Sequence, residues 1–317
     1  MLVTMTTALA CAAISQPLAE PGQAVRYDGD KVVTVVVQDE KMRRAVLTLS
    51  EGLWGCAEPG LGPVQVHVTA QGLAALDDLG LAYIVEIDNV QTLIDAENAR
   101  LADAARGDGR GQRGELPGTY FDDYRTNEQI SEYMNALAAL RPDLVTRQPI
   151  GQSTDGREIY AIRVTAPGQG PKPIILMNSL QHAREWITGA TGSYIIDRLV
   201  RNPDVDPRID ALLNDFEIIL VPVLNPDGYA WTWSNDRMWR KNRRPAPVGS
   251  SCMGVDNNRN WGAFWGLVNG SSGEPCGETY RGVAPFSEPE NQAMRDFATA
   301  HPRIVSYVDI HSYGRHI

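Results

Sequence analysis

The clearest pattern near the start of the chain is Lys31–Val37 (KVVTVVV), a β-branched run that predicts a strand. Gln38–Ser50 follows with apolar positions at helical spacing, and Val64–Thr69 (VQVHVT) alternates like a half-buried strand. A weaker strand is expected around Leu53–Trp54, a short helix over Gln71–Leu79 and a strand over Ala82–Ile87. This β-α-β-β-α-β order predicts a compact α+β open sandwich. A helix is predicted from Val90 to about Ala105, with Leu93, Ile94, Glu97, Leu101 and Ala104 marking its faces. The pattern then dissolves into a Gly-rich stretch, residues 106–118, carrying Arg106, Arg110 and Arg113. It reads as an exposed boundary that a trypsin-like protease could cut, or as a plain linker.

A second region begins near Thr119. Asn127–Leu140 is predicted helical, with Thr126 as its cap and Arg141-Pro142 as its end. Strands are expected at Glu158–Thr165, Ile174–Asn178, Glu217–Val223 and Ile304–Ile310, with helices at Trp186–Val200 and Glu288–Ala300. Strands alternating with helices predict an α/β domain whose sheet is mixed and mainly parallel, flanked by helices.

Composition narrows the function classes. Of 317 residues 43% are hydrophobic, enough for a sizeable core, and the net charge of −10 argues against a general nucleic-acid binder. The acidity lies mainly in residues 1–118, with 16 acids against 9 bases. No apolar run beyond the N-terminus is long enough for a membrane span. Residues 1–20 contain a short apolar stretch with small residues, similar to a secretory signal segment but without its basic start. None of the four cysteines (Cys11, Cys56, Cys252, Cys276) is in CxxC spacing. Cys252 and Cys276 enclose a Gly/Ser/Asn-rich stretch and are either a loop-closing disulfide, worth roughly 3 kcal/mol in the chain-entropy picture, or two buried thiols.

Candidate chemistry starts at QHAREW, Gln181–Trp186, between a buried strand and a helix. Ligand sites in α/β proteins lie beyond the carboxyl ends of strands. His182 and Glu185, three residues apart on a turn entering a helix, can converge on one point. His311 also follows a strand, and two histidines with a glutamate make a catalytic zinc ligand set with a position left for water; taken alone, each residue is equally a satisfied core side chain. Arg237–Arg244 (RMWRKNRR) holds five bases in eight residues and reads by default as a solvated basic turn. In VDNNRNW, Asn258 and Arg259 are suited to holding a free carboxylate bidentately.

The strings QHAREW, VLNPDGY, RMWRKNR, CMGVDNNRNW, PCGETYRG and DIHSYG together resemble, in order, the zinc carboxypeptidases of the pancreatic type, the M14 family, over about residues 119–317. The resemblance implies a carboxypeptidase-like α/β fold and one Zn²⁺ held by His182, Glu185 and His311. It implies Arg240 as the catalytic arginine that polarises the scissile carbonyl, and Asn258 and Arg259 as the pair binding the substrate's terminal carboxylate. Arg184, Ser312 and Tyr313 are implied in substrate binding and Cys252–Cys276 as a disulfide, which supports secretion. By position, residues 21–105 resemble the family's activation domain and its connecting helix, an inhibitory pro-domain released by cleavage after that helix. Asp77, Asp78, Glu86, Asp88, Asp95, Glu97 and Asp103, against Arg100 alone in that stretch, are expected to form an acidic face docking over an arginine-bearing cleft.

The expected activity is hydrolysis of the C-terminal peptide bond of peptides and proteins by metal-activated water. The family's catalytic glutamate has no counterpart before Ile317, so the domain of residues 119–317 is expected to be incomplete at its C-terminus and to expose an apolar sheet edge. A non-catalytic zinc or peptide-C-terminus binder is the alternative. A small-acyl or amino-sugar amidase on the same scaffold is a weaker third reading, opposed by the N-terminal domain and by the full set Arg240, Asn258 and Arg259.

Overall fold

The computed structural model describes residues 24–54, 60–107, 120–168, 170–267 and 270–312. The expected signal segment, Cys11, Cys56, Arg110, Arg113 and Tyr313 lie outside the described residues.

The first body runs β1 (Lys31–Val37), α1 (Glu40–Leu49), β2 (Gly52–Leu53), β3 (Gly62–Val68), α2 (Ala70–Asp78) and β4 (Tyr83–Ile87). Its antiparallel sheet has the order β2-β3-β1-β4. Asp39 starts α1 by accepting from the Met42 amide, and Thr69 starts α2 by accepting from Gly72. The valine run of β1 serves both faces of the sheet. Val33, Val35 and Val37 pack with Val46 of α1 and Leu76 of α2. Val32 points the other way, to Tyr27 and to Val90 and Ile94 of α3 (Val90–Gly107). Met238, from the second body, packs on that same cluster.

The second body follows a short 3₁₀ turn at Tyr120–Asp122. It comprises α4 (Asn127–Leu140), β5 (Val145–Gln152), β6 (Glu158–Val164), β7 (Ile174–Asn178), α5 (Trp186–Arg201), α6 (Pro207–Asp215), β8 (Glu217–Val221), α7 (Pro226–Ser234), α8 (Pro289–Ala300) and β9 (Ile304–Asp309). The sheet order is β5-β6-β8-β7-β9, antiparallel through β5, β6 and β8 and parallel through β8, β7 and β9. β8 is buried along its whole length because both faces are covered. Ile218 and Leu220 face the cluster built with α4 and α5; Ile219 and Val221 face Ala293, Met294 and Phe297 of α8. α4 opens with the capping box Thr126/Gln129. At the β9 edge Val305, Tyr307 and Val308 are exposed.

Three elements were not predicted. β5 (VTRQPIGQ) carries Pro149 and a register shift between Pro149 and Gly151, tolerable on an edge strand and hostile to a strand pattern. α6 and α7 are nine residues each and start on Asp206-Pro207 and Asn225-Pro226, dipeptides that read as turns but serve here as cap and first helical residue. The basic run is corrected as well. Arg240, Lys241, Asn242 and Arg243 are buried rather than solvated. Arg243 lies 3.7 Å from the Trp231 ring centre and 4.5 Å from that of Trp239, and the Lys241 ammonium donates to the Pro275 and Gly277 carbonyls.

Candidate metal centre

β7 and β9 are parallel neighbours, so both deliver the chain at the same end of the sheet. After β7 the backbone turns sharply at Leu180, a bulky residue at φ 51°. The turn is fixed by what surrounds it. The Leu180 amide donates to Thr188 Oγ1, and the side chain fills space that a Cβ on Gly189 would invade, at 2.5 Å from Cδ1. The following residues present His182. Glu185 occupies the cap position of α5 but makes no capping bond with its side chain. Its carboxylate instead meets His182 Nδ1 at 2.7 Å with one oxygen and His311 Nδ1 at 3.1 Å with the other, and accepts from the Ser312 amide at 3.0 Å.

The three ligand atoms lie within 4.8 Å of one another and are largely buried. Their outer surroundings fit a metal. His182 Nε2 is 3.1 Å from Asp256 Oδ1, and His311 Nε2 is 2.8 Å from Asp309 Oδ2. A carboxylate on the far nitrogen of each imidazole orients the ring and raises its basicity, the usual support for zinc-ligating histidines. Asp309 is held in turn by Asn178 Nδ2 at 2.6 Å. Burial alone would raise the Glu185 carboxyl, but His182 and His311 outweigh it and hold it well below the usual range. Burial would lower His311; Asp309 and Glu185 reverse this and raise it to about 10. Two imidazoles and a carboxylate, each imidazole backed by a further carboxylate, make a donor set that suits a dication.

Asp256 is the hub joining this set to the arginines. Burial pushes its carboxyl up, but Arg240 and His182, with Arg259 behind them, hold it far below the usual range. Its Oδ2 accepts from Arg240 Nε and Nη2 at 3.2 and 3.1 Å, and Arg240 Nη1 lies 3.8 Å from Glu185. Its Oδ1 also caps the 3₁₀ turn Asn257–Arg259 by accepting from the Asn258 amide at 2.9 Å. Asn258 Nδ2 is 3.2 Å from His311 Nε2, and Arg259 Nη1 donates to the Asn258 carbonyl at 3.1 Å. The structure thus gathers His182, Glu185, His311, Arg240 and Asn258, with Arg259 beside Asn258. Ser312 joins through its backbone. Asp256 and Asp309 are functional residues that the sequence reading missed. Each lies inside a quoted string, two residues before Asn258 and His311 respectively, and that proximity was the available signal.

Arg184 is placed differently from an open subsite residue. It donates to the Met238 carbonyl, to Glu278 and, at 3.4 Å, to the Leu53 carbonyl of the first body. The same border carries Arg237–Glu97 at 2.5 Å, Tyr27 Oη to Asp236 at 2.6 Å, and the Val25 amide to the Asn235 carbonyl at 2.7 Å. Of the acidic face expected to dock, Glu97 makes this contact, whereas Asp88 and Asp95 pair with Lys31 and Arg26 of their own body. A cavity of about 310 Å³ remains at the border, lined among others by Trp54, Leu93, Ile94, Met238 and Glu185. Another pocket, about 180 Å³ around Arg163, Lys172 and Glu217, includes none of the metal set. Cys252 and Cys276 form a disulfide. Among the described residues no helix is long and apolar enough to cross a membrane.

A buried His₂Glu set with carboxylates on its outer nitrogens and an arginine at its side is a site able to hold a metal ion. The chain belongs to the zinc carboxypeptidase family (Peptidase_M14), whose profile matches residues 130–317 and whose cofactor is zinc. Carboxypeptidase A1 of Sus scrofa is 36% identical over 301 residues, covering 91% of this chain and 70% of that protein. Carboxypeptidase A5 of Homo sapiens is 36% identical over 303 residues, covering 92% and 67%. Among solved structures, carboxypeptidase A from Helicoverpa armigera superposes with a TM-score of 0.79 at 36% identity, covering 91% of this chain and 71% of that one. Thrombin activatable fibrinolysis inhibitor gives 0.78 at 26% identity, covering 91% and 73%.

Proposed function

We propose that this protein is a secreted precursor of a zinc carboxypeptidase that removes the C-terminal residue of peptides and proteins. The observation that carries the reading is the contact between Asn258 and His311. It sets a pair suited to a free carboxylate beside the proposed metal ligands, and in this reading that limits the reach of the site to the last peptide bond. His182, Glu185 and His311 would hold the ion. When bound there, zinc supplies a Lewis acid and an acidified water. Arg240, fixed by Asp256, presents guanidinium hydrogens where a carbonyl oxygen gains charge. Arg259 and Asn258 grip the terminal carboxylate, Arg259 in a two-point pairing.

Residues 21–105 act in this reading as an inhibitory pro-domain, with residues 106–118 as the segment cut by a trypsin-like protease and residues 119–317 as the enzyme domain. The support is the set of bonds at Arg184, Arg237 and Asp236, which lays the first body against the metal-bearing side of the second. The disulfide suits an oxidising compartment.

A second reading, a relative that binds zinc and peptide C-termini without turnover, is favoured by one observation. Glu185, Asp256 and Asp309 are each engaged by imidazole or guanidinium, and among the described residues none of these three is placed to accept a proton from water. The deciding experiment treats the zinc-loaded protein with trypsin and offers peptides with free or amidated C-termini. Release of single residues from the free acid alone supports the enzyme; tight binding of the free acid without release supports the second reading.

A further inference from the structure

Asn242 is fully buried, and every hydrogen-bonding position of its amide is used. Its Oδ1 accepts from the amides of Val255 (2.8 Å) and Arg244 (3.2 Å), and its Nδ2 donates to Glu288 (2.8 Å) and Glu290 (3.0 Å). The backbone runs beside it in register: Asn242 N donates to the Val255 carbonyl at 3.0 Å and Gly254 N to the Arg244 carbonyl at 2.8 Å. The approach is so close that a Cβ on Gly254, which sits at φ +85°, would fall 2.5 Å from the Asn242 carbonyl. Two segments are thereby zipped together. One begins at Arg240; the other continues through Asp256 to Asn258 and Arg259.

The start of α8 holds the far side of the same turn. Glu288 N donates to Asn260 Oδ1 at 3.1 Å, Asn260 Nδ2 donates to Ser287 Oγ at 2.9 Å, and Asn291 Nδ2 donates to the Asn257 carbonyl at 2.9 Å. Glu290 is tied to the turn between β5 and β6 through the Thr154 amide at 3.2 Å. The turn carrying Asn258 and Arg259 is therefore suspended between Asn242 and the first residues of α8. Two buried carboxylates are a costly filling for a core, and apolar side chains would stabilise it as well or better. What the carboxylates provide here is direction: they fix the plane of the Asn242 amide, and the amide fixes the Val255 backbone one residue before Asp256.

We propose that Asn242, oriented by Glu288 and Glu290, is a positioning residue for the carboxylate-binding pair Asn258 and Arg259. The inference rests on the carboxypeptidase reading of that pair. Its test uses the full chain, trypsin-treated and zinc-loaded, and N-acylated dipeptides ending in phenylalanine, leucine or arginine with the last peptide bond replaced by an uncleavable linkage, each as free acid and as amide. Calorimetry gives the ratio of acid to amide affinity, and competition with a chelator gives the zinc affinity.

Asn242→Asp removes the amide donor that Glu288 and Glu290 orient, and should lower the acid-to-amide ratio roughly tenfold with zinc affinity unchanged. Asn242→Ala should do the same. Adding Glu290→Gln to Asn242→Asp exchanges donor and acceptor across the contact and should recover most of the ratio. A ratio that does not move in Asn242→Ala, a fall in zinc affinity that accompanies it, or no recovery in the double variant would overturn the positioning role while leaving the carboxypeptidase reading intact. An unaltered protein that binds acid and amide equally would overturn both.

Discussion

His182 and Arg240 are held by opposite oxygens of one carboxylate: Asp256 meets the imidazole Nε2 at 3.1 Å and the guanidinium Nη2 at 3.1 Å. A proposed metal ligand and the group proposed to face the substrate carbonyl thus share one support, so a change at Asp256 should reach both.

Asp256→Asn keeps the shape but removes the charge. Supporting carboxylates of this kind contribute about 10–100-fold to metal affinity, and a loss in that range is expected for zinc. The measurement is zinc affinity by competition with a chromophoric chelator. An affinity equal to that of the unaltered protein would mean that Asp256 supports Arg240 alone.

Glu290 gives a pH dependence with a defined sign. Burial, with Glu288 nearby, pushes it up to about 7 against the bonds from Asn242 and Thr154 that favour the ionised form. The folded state keeps its proton above the ordinary value of 4.5 while the unfolded chain releases it. Stability from this group is therefore full below that value, falls as pH rises towards 7, and is lost above it. The upper bound for so large a shift is about 3 kcal/mol. Urea unfolding of the zinc-loaded protein at about pH 5 and about pH 8 should show a smaller difference in Glu290→Gln than in the parent. An equal difference would place the titration elsewhere.

The Arg237–Glu97 pair is largely shielded from solvent at the border of the two bodies. Its loss in Glu97→Ala should weaken the seating of α3 by about 1 kcal/mol, or roughly fivefold in local opening. Hydrogen exchange over residues 90–104 reads this directly. Exchange that speeds up equally in α1, away from the border, would indicate general loosening of the first body instead.

Cys252→Ser with Cys276→Ser should lower stability by about 2–4 kcal/mol. The unfolding midpoint in urea, measured without reductant, tests it. A change under about 0.5 kcal/mol, the range of ordinary surface substitutions, would show that the hydrogen bonds of the loop hold it without the disulfide.

Much of this was legible before any coordinates. The β-branched run of β1, the buried run of β8 and the Thr126 cap of α4 are local signals, and each element formed within a few residues of where it was expected. His182, Glu185 and His311 were legible because they follow strands, and parallel pairing of β7 with β9 supplied the convergence. What escaped was partly local and partly non-local. Pro149, Asn225-Pro226 and Asp206-Pro207 carry turn chemistry that the edge position of β5 and the first turns of α6 and α7 turned to other use. The burial of Arg240–Arg243 depends on Trp231, Asp256 and two carbonyls beside Cys276, partners distant in sequence, with Trp239 the one local member. Asp256 and Asp309 were in view, but only the folded arrangement shows that they face the outer nitrogens of His182 and His311.

The most direct test of the account is the product released from a peptide by the trypsin-treated, zinc-loaded protein. One residue is expected from the C-terminus of the free acid, none from the amidated peptide, and no release after chelation of the metal. Cleavage of the amide at a similar rate, or cleavage within the chain, would contradict the role of Asn258 and Arg259 and with it the central claim.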